Sequence, residues 1–142
     1  HRFLRGGVFR RREVEGFANE LAANFSIEGD PRVPLGTLSG GNIQKVTLAR
    51  ELASRTDFIL FSEPTWGLDV ASSEFIYERI MEIRRQGLAI LLLSSNLDEI
   101  MSLADTLVVM YRGRVVACLA NSVEVTKELI GEYMLGLRED RS

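Results

Sequence analysis

Leu38-Ser39-Gly40-Gly41-Asn42-Ile43-Gln44-Lys45, followed from Asp57 by Phe58-Ile59-Leu60-Phe61-Ser62-Glu63-Pro64, is the stretch on which the fold turns. Its first part reads as a helix start. Ser39 is a preferred N-cap, and Val46, Ala49, Leu52 and Ala53 recur on the inner side of a helix expected over residues 42–54. Its second part is a continuous apolar run, the pattern of a strand buried on both faces of a parallel sheet. A cap alone leaves the glycines unexplained, because each costs up to about 1 kcal/mol against a better helix former. Glycines there let backbone N–H groups approach an anion at a helix N-terminus, where the dipole and the unpaired donors favour phosphate.

Working outward, Val14, Phe17, Leu21 and Phe25 recur at helical spacing and predict an amphipathic helix over residues 10–25, with Phe17 and Phe25 on its core stripe. Arg10, Arg11 and Arg12 read as its solvated face, with contact to an anionic partner as the alternative. Pro31 and Pro34 then force an extended linker. After Gly67-Leu68-Asp69 comes a helix with Phe75, Ile76, Ile80 and Ile83 inward, closed by Gly87 as a C-cap. Residues 88–93 form the next buried strand, 97–103 a short helix, and 106–111 with 114–119 a hairpin turned at Arg112-Gly113. Residues 123–137 read as one or two short helices. Strands alternating with helices predict an α/β fold, with a mostly parallel sheet flanked by helices.

At 142 residues the chain has room for one domain, and its 46% hydrophobic and 26% charged content is that of an ordinary globular protein. The net charge of −3 argues against nucleic-acid binding, which needs a concentrated basic face. No apolar run is long enough to cross a bilayer, so membrane association is expected to go through a partner. Cys118 has no second cysteine and lies in an apolar run, where it reads as a packed thiol. The sequence starts at His1 without an initiator Met or a signal-peptide pattern, and is expected to be a piece of something longer.

Residues 38–44 resemble the signature motif of ABC ATPases, Phe58 to Glu63 resembles that family's Walker B strand, and Pro64-Thr65 with Gly67-Leu68-Asp69 resembles the segment leading to its D-loop. The resemblance covers nearly the whole chain. It implies a partial P-loop NTPase fold forming the C-terminal part of one nucleotide-binding domain: residues 1–37 from the helical subdomain, 38–54 the signature and its helix, 55–120 the Walker B, D-loop and switch region, and 121–142 C-terminal helices. It also implies ATP and Mg²⁺ as cofactors. A second nucleotide-binding domain, expected N-terminal in the same chain, would hold ATP on its phosphate loop. Ser39, Gly40, Gly41 and Gln44 would close over that nucleotide, with Asp69 in the D-loop. Further implied partners are a transmembrane permease and, through it, an extracytoplasmic solute-binding protein, which places the chain on the cytoplasmic face of the membrane.

Departures from the family pattern bear on catalysis. The phosphate loop requires Gly-x-x-x-x-Gly-Lys-Ser/Thr, and neither Lys45 nor Lys127, the only lysines, stands in such a run. Ser62 occupies the position of the Walker B Asp and is a poor ligand for a hard cation. Glu63 is the candidate general base, with a solvated strand-end carboxylate as the bland alternative. Ser95 holds the place of the family's switch His, since His1 is the only histidine. The piece alone is therefore expected to be an inactive ATPase that binds neither ATP nor Mg²⁺ tightly.

The run Leu-Ser-Gly-Gly-Asn-x-Gln-Lys, Gly67-Leu68-Asp69-Val70 and the Ser94-Ser95 pair are similar to the C-terminal domain of fused bacterial importers of simple sugars and nucleosides. Asn42-Ile43-Gln44-Lys45 and Leu97-Asp98-Glu99-Ile100 lean toward the nucleoside branch, while vitamin uptake stays open. Trp66 is a candidate dimer-surface residue or an ordinary packing one. Two other classes share the motifs: ABC ATPases of DNA repair and chromosome maintenance, and non-catalytic regulatory modules. In the family the phosphate-loop strand shares a sheet with residues 58–61, so its absence is expected to bare an apolar edge or groove and to bring self-association or rearrangement around the gap.

Overall fold

The computed structural model describes residues 3–5, 8–53 and 57–140. The elements, in chain order, are β1 (Leu4–Arg5), β2 (Val8–Phe9), α1 (Arg11–Asn24), α2 (Gly40–Leu52), β3 (Phe58–Ser62), α3 (Val70–Arg85), β4 (Ala89–Leu93), α4 (Leu97–Leu103), β5 (Thr106–Tyr111), β6 (Arg114–Ala120) and α5 (Lys127–Met134). They gather into two compact units. The first is built on the described residues of 1–57 together with 65–78, and the second on 58–64 together with 79–140. The sequence placed α1 to α4 and the main strands within one or two residues, whereas residues 123–137 hold one helix, Lys127–Met134, and the short antiparallel β1–β2 pair was not expected. Ser54, the expected end of α2, and His1 lie outside the described residues.

In the first unit, α1 carries its apolar stripe as predicted, yet none of its residues is fully buried. Phe17 stacks obliquely on Phe3 at 5.3 Å and lines an apolar cavity of about 540 Å³ with Leu21, Ile27, Leu38 and Val46. The expectation that Phe17 and Phe25 are core residues is thus corrected: both are half-buried. At the start of the helix Arg10 pairs with Glu13 at 2.5 Å and Arg11 with Glu15 at 3.4 Å, which balances part of the basic cluster locally. Residues 29–38, expected as an extended linker, are largely turned: Val33 N–H closes on the Asp30 carbonyl at 3.0 Å, and Leu35–Thr37 forms a 3₁₀ turn. Arg32 folds back on the Asp30 carboxylate, and these hydrogen bonds hold that carboxyl below its ordinary pKa.

The second unit contains the parallel pair. β3 and β4 run in register from Phe58↔Ala89 to Ser62↔Leu93, with α3 as the intervening crossover. Parallel pairing among the described residues is confined to these two strands, and β5–β6 form an antiparallel hairpin. The hairpin supports the main apolar core: Leu107, Val109, Val116 and Ala117 pack with Val125, Ile130 and Tyr133. The last three come from α5 and its approach, and Leu97, Ile100 and Met101 of α4 pack against the same cluster, so two helices close this core. Asn121 secures the corner by donating through Nδ2 to the carbonyls of Met101 and Ala104. The Arg84 guanidinium reaches Asp105 through two hydrogen bonds, tying the end of α3 to the start of β5.

Two expectations fail here for the same reason. Residues 58–61 were expected to be buried on both faces, but Ile59 is 8% exposed while Phe58 and Leu60 are 53% and 52% exposed. β4 repeats the alternation, with Leu91 and Leu93 on the bare side. A strand pair covered on one side only must show every second residue to solvent, whatever its sequence. Cys118, expected as a packed thiol, is likewise exposed, standing beside its register partner Val108 on the open face of the hairpin.

An apolar strip of four large side chains in water favours association. The 142-residue chain prepared alone is predicted to scatter light as an oligomer whose mass grows with concentration. Leu60→Lys with Leu91→Glu, which places opposite charges on facing positions, should return it toward a monomer. A clean monomer of the unsubstituted chain at high concentration would refute this.

Candidate functional site

In the first unit α2 begins at Gly40, with Ser39 as its N-cap in extended conformation. Helix geometry leaves the N–H groups of the first turn without intrahelical acceptors. One of them, Asn42 N–H, donates to Ser39 Oγ at 3.4 Å, while Ile43 N–H opens the helical ladder on the Ser39 carbonyl at 2.9 Å. A side chain at Gly40 would meet open space, so the first turn is approachable from outside. Ser39 is exposed. Exposed hydroxyl, accessible helix start and unpaired N–H donors together suit a phosphate oxygen.

Gly41 is needed for a second reason. A Cβ built there would lie 2.6 Å from Ser72 Oγ and 3.3 Å from Ser72 Cβ. Ser72 is held in place by Asp69, whose carboxylate accepts from Ser72 N–H at 2.9 Å and from Ser72 Oγ at 2.9 Å. Asp69 thus caps α3 and holds Ser72 against Gly41 in the first turn of α2. The Ser72 backbone and hydroxyl hydrogen bonds lower the Asp69 pKa. Leading into this cap, Leu68 N–H bonds to the Thr65 carbonyl across a turn whose third residue is Gly67 at φ +72°, a conformation that favours glycine. Trp66 stands on that turn and is 75% exposed.

A polar recess of about 290 Å³ joins these parts, lined by Glu28, Ser39, Asn42, Lys45, Asp69 and Ser72 among others. Gln44 does not line it. Two residues beyond Asn42, it lies about 200° further round α2 and is half-buried. Sequence reading missed Asn42 and Lys45, which do face the recess. Asn42 Oδ1 accepts from Glu28 N–H at 3.0 Å, and its Nδ2 donates to Ser39 Oγ at 3.1 Å. Lys45 donates to the Ser26 carbonyl at 3.0 Å and rests over the Phe75 ring. The available signal was spacing: a polar residue three positions after a Ser cap is placed to reach back over the helix start.

In the second unit β3 ends at Ser62, which is exposed, and the ladder continues for one more bond as Glu63 N–H donates to the Leu93 carbonyl at 2.8 Å. Glu63 then adopts φ +46°, a left-handed conformation that costs a residue with a Cβ roughly 1–2 kcal/mol. That turn brings its carboxylate to Ser95, whose N–H donates to Oε1 at 2.8 Å and whose hydroxyl donates to Oε2 at 3.3 Å. The two residues singled out in this region are therefore brought into direct contact. Glu63 is half-buried and both its oxygens are engaged. Such a carboxylate is oriented and keeps lone pairs for a water proton.

These donors do not form a magnesium site by themselves. A hard cation of that size wants near-octahedral oxygen ligands, with carboxylates among them. Ser62 brings a neutral hydroxyl, Glu63 is committed to Ser95, and among the described residues no group of three or more His, Cys, Asp or Glu converges.

A search against protein-family models finds no match. Among curated proteins, the chain is 37% identical over 131 residues to the guanosine import ATP-binding protein NupO of Bacillus subtilis (strain 168), covering 92% of this chain and 26% of that protein. It is 40% identical over 138 residues to the ribose import ATP-binding protein RbsA 2 of Rubrobacter xylanophilus, covering 96% and 26%. It is 43% identical over 112 residues to the arabinose import ATP-binding protein AraG 2 of Burkholderia thailandensis, covering 79% and 21%. The chain thus spans about a quarter of the length of the curated relatives it matches. Among solved structures it is similar to MJ1267, an ATP-binding cassette of an ABC transporter, with a TM-score of 0.66 at 23% identity over 87% of this chain and 47% of that one. It is also similar to dimeric MJ0796, a bacterial ABC transporter cassette, with a TM-score of 0.68 at 22% identity over 84% and 51%. The α/β fold is the one shared by these cassettes.

Two outcomes follow from the cap geometry. Gly41→Ala should destabilise the first unit by about 1–3 kcal/mol, the usual range for an overpacked site, and Ser72→Ala in the same chain should recover part of the loss in denaturant unfolding. The second concerns pH. Because the folded-state pKa of Asp69 is lowered, its stabilisation is present above the unfolded-state value of about 3.9 and is lost as pH falls through the folded value. Asp69→Asn keeps an acceptor but does not titrate, so its melting temperature should fall less steeply than that of the unsubstituted protein between about pH 5 and about pH 2.

Proposed function

Because the chain belongs to the ATP-binding family of ABC transporters, we propose that it supplies the signature side of an ATP site whose phosphate loop lies on a second nucleotide-binding domain. Its parent protein would couple ATP hydrolysis to import of a simple sugar, nucleoside or related small solute through a membrane permease fed by a solute-binding protein. On this reading the chain works at the cytoplasmic face of the membrane as the C-terminal part of one nucleotide-binding domain. Residues 1–37 then contribute to the helical subdomain, 38–54 the signature and its helix, 55–120 the Walker B, D-loop and switch region, and 121–142 the C-terminal helices. The named relatives import guanosine, ribose and arabinose, which supports the solute class and gives no support to a role in DNA maintenance.

The observation that carries the reading is the helix start at Ser39: an exposed cap hydroxyl and an open Gly40, ahead of N–H groups that α2 does not use. These are donors for an anion brought from outside. In this role Ser39, Gly40 and Gly41 bind and orient the phosphate tail of ATP. Gln44, on another face of α2, takes a lesser part. Asp69 acts by holding the turn ahead of α3 and the Ser72 contact to Gly41.

Glu63 takes the role of a base held by Ser95 at the end of β3. Magnesium, when bound to the parent protein, would neutralise the phosphate charge. The described residues of the chain do not hold that ion; what they contribute is Glu63, whose carboxylate is aimed by two Ser95 hydrogen bonds. Ser62 adds no charge. This incomplete set, with no phosphate loop in the sequence, supports the reading that the 142-residue piece alone does not hydrolyse ATP.

The test uses the full-length parent with its permease in liposomes. Ser39→Arg and Gly41→Asp should each lower ATP hydrolysis and solute uptake at least about tenfold, in line with the loss of donors to a developing charge. Intact hydrolysis and uptake in both variants would overturn the reading.

A further inference from the structure

A serine hydroxyl has one hydrogen to give and two lone pairs to fill. At Ser39 both lone pairs meet donors from one residue: Asn42 N–H at 3.4 Å and Asn42 Nδ2 at 3.1 Å. With its protein-facing side occupied by incoming hydrogens, the hydroxyl can direct its own hydrogen only away from α2. There the residue is exposed. The Asn42 amide is not free to turn over, because Oδ1 accepts the Glu28 N–H at 3.0 Å and so decides that the NH₂ end faces Ser39. One turn later Lys45 clasps the same loop through the Ser26 carbonyl at 3.0 Å, which keeps α2 and the loop at a constant separation.

We propose that Asn42 is a positioning residue for ATP contact: its amide, oriented by the Glu28 N–H, presets the Ser39 hydroxyl as an outward donor to a phosphate oxygen. This rests on the proposed role of Ser39 as an ATP contact. Asn42 acts through Ser39. A donor already aimed needs no reorganisation when the phosphate charge shifts, so the effect belongs to the transition state as well as to binding. The loop at Ser26 to Glu28 becomes part of the ATP-contacting machinery without reaching the nucleotide.

Asn42→Asp separates this role from a structural one. The aspartate keeps an oxygen for the Glu28 N–H but turns a second acceptor toward Ser39, so the hydroxyl rotates inward to donate to it. In the reconstituted full-length parent, kcat and KM for ATP hydrolysis are to be measured for the unsubstituted protein, Ser39→Ala, Asn42→Asp and the double variant. The expected result is a loss in kcat/KM of about tenfold or more for each single variant, with the double variant no worse than Ser39→Ala. If the two losses multiply, Asn42 acts by its new charge or by another route, and the proposal is overturned. If Ser39→Ala changes nothing, the reading of Ser39 as an ATP contact fails instead, and this inference falls with it. Asn42→Gln retains the amide donor and is expected to stay within about threefold of the unsubstituted protein. It also covers the case in which Asn42→Asp does not fold: a folded Gln variant as impaired as Ser39→Ala would refute the positioning role.

Discussion

The start of α2 carries two opposed demands, and the described first unit is organised around them. A helix beginning with Gly40 and Gly41 is weak at its first turn, yet that turn must leave its donors uncovered if it is to meet an anion. The strain is relieved from the side. Ser39 caps one N–H, Asn42 binds the loop at Glu28, and Lys45 binds it again at Ser26 while resting on Phe75. Support thus comes through side chains on one stripe of the helix, and the end of the helix stays open. Glycine at position 41 completes the arrangement by admitting Ser72 to a distance that no side chain would allow.

A different economy governs the second unit. Its main core is the hairpin β5–β6 packed with α4 and α5, a local arrangement with short connections. The parallel pair β3–β4 has only the crossover α3 between its strands and leaves Phe58, Leu60, Leu91 and Leu93 in solvent. At roughly 25 cal/mol per Å² of apolar surface, such a face is a substantial unused source of stability. It is also the feature most at odds with a chain functioning by itself. Relatives about four times as long supply ample additional chain, in keeping with the view that this is one part of a larger protein.

Glu63 shows how backbone and side chain cooperate at the end of a parallel strand. The ladder carries its N–H to Leu93, and the left-handed turn that follows swings the carboxylate onto Ser95, two residues past that carbonyl. A glycine would adopt that φ more readily but would bring no carboxylate. An unfavourable backbone conformation held at the residue of chemical interest is a common sign that the side chain is wanted there. Ser62 before it carries no charge, and the Glu63 carboxylate is oriented by the neutral donors of Ser95.

The α/β class, the order of the main elements and the residues from which the two candidate sites are proposed could be read in the sequence, because each rests on local rules. Helical and strand periodicity placed α1, α2, α3 and β3 through β6, Ser39 announced a cap, and the spacing from Leu38 through Asp69 identified the family. What lay beyond reach depended on which surfaces meet. Apolar content marked residues 58–61 and Cys118 as buried, but burial is decided by what covers a face, and one face of each strand pair is left open. Asn42 reads like any polar residue in a first turn until a loop fourteen residues back is brought against it. Likewise Ser72 gives Gly41 its meaning and Ser95 gives Glu63 its direction. Sequence periodicity encodes the side of an element on which a residue stands, whereas the partner it finds there is set by long-range packing, which only the folded chain supplies.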